Sequence, residues 1–293
     1  MTPTAHRRVI HIWDTVVSIE VRAVSADVDV AETLDKVHEL LRYVDRTFSV
    51  FRSDSPVSAL RRGERDEAQI LWDPHSDDER HLADVIAACR RARIISGGAF
   101  DPWSVPGGFD PSGLVKGWAA GRALHLLRNH GIDHAMVNAG GDVAVAGGVA
   151  PGIPWRIGVR HPLDPDTVLT VVELYDGSVA TSGRYERGHH LHRTGPLPDG
   201  PEPLSATVVG PDPALADAFA TALAVTGHHA GDAITQLTDH STLIVETAKH
   251  PHLTLRATGP AFAVPYLARG HVRYSSHGGP LITRPAPAGR MSA

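Results

Sequence analysis

Cysteine is nearly absent from this chain of 293 residues, since Cys89 is the only one. A single cysteine excludes an internal disulfide framework and any cysteine-rich zinc or iron–sulfur site. Aromatic residues make up only 5% of the chain, and no apolar run approaches the roughly 20 residues that span a bilayer. Positive charge is not in excess either, because 28 Lys and Arg stand against 33 Asp and Glu. We therefore expect no nucleic-acid partner and no transmembrane segment.

The first nine residues are polar and then basic, and the apolar stretch that follows is interrupted by His11, Asp14 and Glu20. This pattern differs from the continuous apolar core of a signal peptide. No cysteine for lipid attachment lies near the start of the sequence. We therefore expect a cytoplasmic protein.

Hydrophobic residues form 42% of the chain, which is enough for one large domain or two small ones with a sizeable core. Glycine (28) and proline (22) are plentiful, so many turns are expected. Beyond Gly259 the sequence is rich in proline, glycine and arginine, and its end is typical of disorder. We expect one domain over residues 1–262 and a partly disordered C-terminal extension over residues 263–293.

Hydrophobic spacing predicts helices and strands that do not alternate regularly. Apolar residues three and four positions apart predict helices over residues 29–51, 77–96, 114–130 and 213–225. Apolar stretches predict strands over residues 9–24, 155–160, 167–174, 204–209 and 242–246. Residues 134–147 combine two such stretches with a glycine turn, which is a hairpin signal, and residues 178–192 are expected to form a loop. This organisation favours an α+β fold over a doubly wound parallel sheet.

The segment ADAFATAL, residues 216–223, places Asp217 and Thr221 four positions apart on a predicted helix. Side chains at that spacing share one helix face. A carboxylate and a hydroxyl together are hard oxygen ligands, which suit Mg²⁺. A structural interpretation is also open, in which Asp217 lies near the positive helix end and Thr221 bonds back to a carbonyl.

The segment DPSGLVKG, residues 110–117, places Asp110 and Lys116 around a glycine where a helix is predicted to begin. Free N–H groups at a helix start, together with a lysine, are typical of a phosphate-binding site. The spacing of a P-loop is absent. The alternative is an ordinary helix cap followed by a surface lysine.

Three further segments combine small or flexible residues with polar groups. NAGGD, residues 138–142, would let the backbone approach a ligand closely, although a tight hairpin turn also explains it. TSGRYERGHHLHRTG, residues 181–195, could hold an anion or move a proton, or could form a solvated loop. AFDP, residues 99–102, pairs an aromatic ring with a carboxylate, which suits a planar ligand or simply a turn with one buried phenylalanine.

Taken together, in order and spacing, these segments resemble the ApbE family, the FAD:protein FMN transferases. The resemblance covers about residues 9–260, and its most specific pieces are DPSGLVKG, NAGGD, the TSG segment and ADAFATA. It implies an α+β fold with a mixed antiparallel sheet and packed helices. It also implies a Mg²⁺-dependent transferase that cleaves the pyrophosphate of FAD. FMN would be attached through its phosphate to a Thr or Ser hydroxyl of a target flavoprotein, with release of AMP.

The resemblance further implies which residues form the site. Mg²⁺ would be held by Asp217, Thr221 and the main-chain carbonyl of Gly113, with Asp217 essential for catalysis. His190 would handle the proton of the acceptor hydroxyl, and the carboxylate of Asp101 is an alternative. Contacts to FAD would come from Trp13, Phe51, Ala99, Phe100, Asp101, Asp110, Lys116 and Leu191. We also expect Asp217 to lie at a cleft and not in the core.

Other functions stay open at this point. An FAD pyrophosphatase that releases FMN and AMP would use the same metal-binding site. A non-catalytic FAD-binding protein is the alternative suggested by the short segment HHLHRTG, residues 189–195. A purely structural domain would bind no flavin at all.

Overall fold

The computed structural model of the chain describes residues 5–22, 27–183, 203–227, 232–247, 252–262, 272–274 and 280–285. Within these ranges, no helix is both long enough and apolar enough to cross a membrane. The strands are β1 (His6–Ile12), β2 (Thr15–Arg22), β3 (His134–Ala139), β4 (Asp142–Ala146), β5 (Trp155–His161), β6 (Asp164–Leu174), β7 (Gly177–Gly183), β8 (Pro203–Gly210), β9 (Ser241–Thr247), β10 (His252–Thr258), β11 (Val272–Tyr274) and β12 (Pro280–Pro285).

Ten of these strands form one sheet in the order β1-β2-β3-β4-β7-β8-β9-β10-β12-β11, and every neighbouring pair is antiparallel. Strands β5 and β6 form a separate two-stranded hairpin. The predicted α+β fold with an antiparallel sheet is thereby confirmed. Strands β11 and β12 lie in the predicted C-terminal extension and continue the same sheet.

The helices are α1 (Val30–Phe48), α2 (Pro56–Arg61), α3 (Glu67–Trp72), α4 (Asp77–Ile95), α5 (Ser112–Asn129), α6 (Pro213–Thr226) and α7 (Asp232–Thr235), with a short 3-10 helix at Pro260–Phe262. Helix α1 begins after Asp29, whose side chain accepts from the Glu32 N–H, and α4 begins after Ser76, which caps the Glu79 N–H in the same way. Such caps satisfy amide groups that the helix itself leaves unpaired.

The ten-stranded sheet has a separate apolar core on each face. On one face, the helices pack against residues such as Val17, Val137 and Ala206 to form the larger core. On the other face, the β5–β6 hairpin covers the part of the sheet that includes Val145 and Leu243. Because neighbouring residues of a strand point to opposite faces, strands β4, β8 and β9 contribute to both cores.

Two tight turns lie side by side at one end of the sheet. Trp13 and Asp14 join β1 to β2 with positive φ angles of 57° and 51°, and Gly140 and Gly141 join β3 to β4 with φ angles of 65° and 103°. Two successive positive φ angles are typical of the two-residue turns that match the twist of a hairpin. A β-carbon on Gly140 would lie 2.7 Å from the Thr15 hydroxyl, so the two turns are in close contact.

One prediction from the sequence is wrong at a place that matters for the site. Residues 178–192 were expected to form a loop, but Gly177–Gly183 is strand β7 at the centre of the sheet, between β4 and β8. Its polar residues are satisfied inside the fold. The Thr181 hydroxyl lies 3.0 Å from the Thr207 hydroxyl, and the Ser178 hydroxyl donates to the Gly210 carbonyl. Residues 184–192 lie outside the described part of the chain.

Candidate active site

The site is built where α5 and α6 pack unusually close together. Three glycines four residues apart, Gly113, Gly117 and Gly121, form the face of α5 that meets α6. A β-carbon on Gly117 would lie 2.1 Å from the Pro213 carbonyl oxygen and 3.0 Å from the β-carbon of Asp217. Only a glycine therefore permits this approach, which brings the backbone of α5 onto the side chains of α6.

The close approach places Asp217 directly against the backbone of α5. The Gly117 N–H donates to Asp217 Oδ2 at 3.1 Å. Helix α6 starts at Pro213 after the capping residue Asp212, so Asp217 lies in its second turn. The expectation that Asp217 lies at a cleft is wrong, because the residue is 1% exposed and is enclosed between the helices and the sheet.

Lys116 brings a positive charge to this buried carboxylate. Its ammonium contacts Asp142 Oδ2 and lies 3.7 Å from Asp217 Oδ1. Asp142 is the first residue of β4, directly after the Gly140–Gly141 turn, and only 3% of its surface is exposed. The lysine of DPSGLVKG, the aspartate of NAGGD and the aspartate of ADAFATAL therefore form one charged cluster.

The charges in this cluster do not balance. Two buried carboxylates share one ammonium group, which leaves a formal charge of −1 if all three are ionised. The pKa of Asp217 is raised to about 7, first by burial and then by the nearby Asp142 carboxylate, while Lys116 and the Gly117 N–H act in the opposite direction. A further cation beside Asp217 would stabilise its ionised form.

Thr221 lies one helical turn after Asp217 and faces β7. Its hydroxyl is 3.2 Å from the Ser182 hydroxyl. A β-carbon on Gly113 would lie 3.4 Å from the Thr221 hydroxyl oxygen and 3.2 Å from the Phe100 ring, so Gly113 lies between these two side chains. The predicted metal residues Gly113, Asp217 and Thr221 thus lie along one contact between α5 and α6.

The donor groups along this contact fit a hard divalent cation. Asp217 supplies carboxylate oxygen, Thr221 a hydroxyl and Gly113 a carbonyl, and oxygen ligands of these kinds are preferred by Mg²⁺. In the described ranges, no three or more His, Cys, Asp or Glu side chains come together as a conventional metal cluster. A cation at this contact would therefore depend on hydroxyl, carbonyl and water oxygens in addition to Asp217.

The segment before α5 contains three of the predicted contacts to FAD, Ala99, Phe100 and Asp101. Phe100 is buried, and Ala99 packs partly against the same core. The Asp101 carboxylate pairs with Arg93 at 3.0 Å and accepts from the Trp103 N–H at 3.1 Å. To act as a base, the alternative role predicted for it, Asp101 would have to accept a proton on a carboxylate that Arg93 already neutralises.

Asp110 also serves the backbone at the start of α5. Its carboxylate accepts from both the N–H and the hydroxyl of Ser112, at 2.9 and 2.6 Å. The capping position Pro111 makes no side-chain capping bond. The predicted phosphate-binding site is therefore a helix start with the Asp110 carboxylate beside it. The ammonium of Lys116 faces the carboxylates of Asp142 and Asp217.

The remaining predicted contacts to FAD are spread more widely. Trp13 lies half-buried in the β1–β2 turn and packs against the larger core. Phe51 follows α1 and is 90% exposed. His190 and Leu191 lie outside the described residues. The structure thus brings together Gly113, Lys116, Asp217 and Thr221, with Phe100 beside them, and no described contact links Phe51 to this group.

Two polar residues of the site were not predicted from the sequence. Asp142 is the partner of Lys116, and Ser182 is the partner of Thr221. Both belong to segments that combine small and polar residues, NAGGD and TSG. The signal was present in those segments, but the pairing depends on strands β4 and β7 lying side by side under α5 and α6.

Comparison with known proteins supports the resemblance. The profile described as the ApbE family matches residues 106–244. The chain is 30% identical over 146 residues to an FAD:protein FMN transferase of Vibrio cholerae, in an alignment that covers 46% of this chain and 44% of that protein. It is 32% identical over 138 residues to one of Treponema pallidum, covering 41% and 38% of the two chains. The chain thus spans less than half of the length of these curated relatives.

Solved structures extend the similarity to most of the chain. The flavin transferase ApbE from Vibrio cholerae superposes with a TM-score of 0.68 at 20% identity, covering 87% of this chain and 98% of that one. The ApbE protein from Thermotoga maritima superposes with a TM-score of 0.67 at 23% identity, covering 83% and 94%. At these identities the likeness establishes the fold. The chain is thus similar to the ApbE family in sequence over residues 106–244 and in fold over most of its length.

Proposed function

We propose that this protein is an FAD:protein FMN transferase that depends on Mg²⁺. The single observation that carries the proposal is the cluster of half-buried Lys116 with the buried carboxylates of Asp142 and Asp217, with Thr221 beside it. All four residues lie within the segment that matches the ApbE family. The curated relatives named above are FAD:protein FMN transferases, which supports the same reaction here.

The proposed reaction transfers FMN from one oxygen to another. The hydroxyl oxygen of an acceptor Thr or Ser forms a bond to the FMN phosphorus of FAD. The bond from that phosphorus to the bridging oxygen of the pyrophosphate breaks, and AMP leaves with the bridging oxygen. The hydroxyl proton goes to a base, for which the resemblance offers His190. The partners are therefore FAD and a target flavoprotein.

The residues of the cluster have distinct tasks in this proposal. Asp217, Thr221 and the Gly113 carbonyl would hold Mg²⁺, which supplies positive charge for the phosphoryl oxygens when it is bound. Lys116 adds a fixed positive charge at the start of α5, where the phosphates would lie. Phe100 and Asp110 border the same helix start. They would orient the flavin part of FAD, together with Ala99, Trp13, Phe51, Asp101 and Leu191.

Incubation with FAD, Mg²⁺ and an FMN-binding domain that carries an acceptor threonine tests the proposal directly. Mass spectrometry should find FMN bound covalently to the fragment and one AMP released for each FMN attached. Free FMN and AMP without labelled fragment would indicate an FAD pyrophosphatase instead. FAD that stays intact and bound would indicate a binding protein, and absence of any stabilisation by FAD would indicate a structural domain.

Asp217→Ala provides the sharpest variant for this reaction. We expect AMP release to fall at least about 100-fold, since the charged metal ligand is removed. The fold should survive, because the change also removes a buried carboxylate whose ionisation is opposed by its surroundings. Thermal unfolding checks the second expectation, and AMP release that stays at the level of the unchanged protein would show that the metal assignment is wrong.

A further inference from the structure

Among the described residues, two carboxylates lie within reach of the Lys116 ammonium group, which is closer to one of them. It contacts Asp142 Oδ2, whereas its distance to Asp217 Oδ1 is 3.7 Å, which is beyond the range of a hydrogen bond. Asp217 Oδ2 accepts from the Gly117 N–H. Oδ1 is therefore the Asp217 oxygen that faces the lysine, at the distance of an ion pair that is longer than a hydrogen bond.

Asp142 is held more rigidly than the lysine it contacts. It begins β4, its neighbour across the turn is Ala139, and the Gly141 N–H donates to the Asn138 side chain at 2.8 Å. A strand residue next to a tight turn has little freedom, while a lysine side chain has four rotatable carbons. The position of Asp142 therefore decides where the ammonium of Lys116 rests.

We propose that Asp142 is a positioning residue that holds Lys116 away from Asp217 Oδ1 and so keeps this oxygen available to a divalent cation. The inference rests on the proposed function, because the cation is the Mg²⁺ of that reaction. Without the negative charge at position 142, Asp217 is the carboxylate in the described part of the chain that stays within reach of Lys116, and it is the proposed metal ligand. The lysine then competes with the metal for Asp217.

This competition makes a prediction that a purely structural role of Asp142 does not make. The formal charge of the three groups is −1 in the natural protein, 0 in Asp142→Asn and −2 in Lys116→Met. In the double variant it returns to −1, and the competing ammonium is absent. Metal binding should therefore be lost in one single variant and restored by the second change, which is a coupling that double-mutant cycles detect.

The experiment measures Mn²⁺ binding to the full chain by electron paramagnetic resonance, in the natural protein and the three variants, at about pH 8 where exposed carboxylates are ionised. We expect Asp142→Asn to weaken Mn²⁺ affinity by about tenfold or more, and the double variant to return to within about threefold of the natural protein. Lys116→Met alone should bind at least as tightly as the natural protein. Thermal unfolding with and without Mn²⁺ verifies that each variant is folded.

The outcomes separate this inference from the proposed function. If the natural protein binds Mn²⁺ but Asp142→Asn binds it equally well, the positioning role is wrong while the metal site stands. If the double variant stays as weak as folded Asp142→Asn, Asp142 acts by shaping the turn and the inference is again overturned. If the natural protein binds no Mn²⁺, the metal site itself is wrong, and the inference is overturned together with it.

Discussion

At β4 and β7, in the middle of the large sheet, the two faces carry side chains of different size. In β4, Ala144 and Ala146 face the helices, whereas Val143 and Val145 face the β5–β6 hairpin. The same contrast occurs in β7, where Ala180 belongs to the helix side. Small residues on one face let the helices approach closely, and larger residues on the other fill an ordinary apolar core.

This difference separates the chemistry of the protein from much of its apolar packing. The helix side contains the glycine contacts of α5 and the charge cluster of Lys116, Asp142 and Asp217. The hairpin side contains close-packed Val, Leu, Ile, Trp and Phe side chains. Changes on the hairpin side should therefore affect stability alone, while changes on the helix side should affect the site as well.

Leu243→Ala on β9 should give the largest loss of stability. Leu243 is fully buried in the hairpin-side core, and such truncations cost about 2–5 kcal/mol through lost apolar contact and a residual cavity. Urea unfolding measures the loss. AMP release per folded molecule should stay unchanged, and a proportional loss of activity would contradict the separation of the two faces.

Gly117→Ala on α5 should combine a smaller loss of stability with loss of function. The new β-carbon would collide with the Pro213 carbonyl oxygen, and overpacking of this kind costs about 1–3 kcal/mol. The helices must move apart, so the bond from the Gly117 N–H to Asp217 is lost or lengthened. The free energy of unfolding measured with urea and the rate of AMP release should both fall. A fully active variant would show that the close approach of the two helices is not required.

Glu20 lies on β2, beside β3, and its side chain is on the sheet face away from the helices. Changing it tests how much an ion-pair network contributes to stability there. Its carboxylate accepts from Arg7 at 2.7 Å and from Arg22 at 2.6 Å. Burial acts to raise the pKa of Glu20, but the hydrogen bonds and charges of the two arginines outweigh it, and the pKa is lowered from 4.5. Glu20→Gln should therefore cost about 1.5 kcal/mol at neutral pH, the lower end for hydrogen bonds to a charged group, because the Arg7 side chain is largely exposed.

The sign of the pH dependence of this network follows from linkage. A carboxyl group with a lower pKa in the folded state contributes stability that is complete above its unfolded value of 4.5. That contribution is lost as the pH falls through the folded pKa. Urea unfolding at a series of pH values should show the stability difference between Glu20→Gln and the natural protein shrinking as the solution becomes acidic. A difference that stays constant would contradict the ion-pair explanation.

Gly121→Ala should give the smallest effect and serves as the matched control for Gly117. A β-carbon at Gly121 would lie 3.4 Å from Pro213 Cγ, which is an ordinary contact. Alanine is favoured over glycine inside a helix by about 0.5–1 kcal/mol. The variant should therefore be as stable as the natural protein or slightly more stable, with unchanged AMP release. A loss as large as that of Gly117→Ala would show that the whole glycine face is equally restricted.

Elements with strong local signals were predictable from the sequence. The helix predicted over residues 77–96 is α4 (Asp77–Ile95), and the glycine hairpin signal is β3 and β4. The short helix α3 was not predicted, because six residues give too little periodicity and its capping box is the main local signal. Strand β7 was missed because its hydroxyl residues resemble a loop until their partners on β8 and α6 are known.

The candidate site was predictable in its chemistry but not in its arrangement. Asp217 and Thr221 share a helix face by spacing alone, and Lys116 was recognised as a positive charge near a helix start. The burial of Asp217 was not foreseen, since an isolated aspartate in a sequence is expected to be exposed. Asp142 and Ser182 join the site through contacts between elements that are far apart in the chain.

The sequence by itself determined which segments become helix, strand and turn in most of the chain, and which residue types are available for oxygen-ligand chemistry. Local spacing and capping are sufficient for that, because they act over a few residues. Only the tertiary structure decided that Lys116 rests on Asp142 beside Asp217. Position 116 lies 26 residues before its bonded partner and about 100 residues before the second carboxylate, and the packing of α5 and α6 on the small-residue face brings the three charges together.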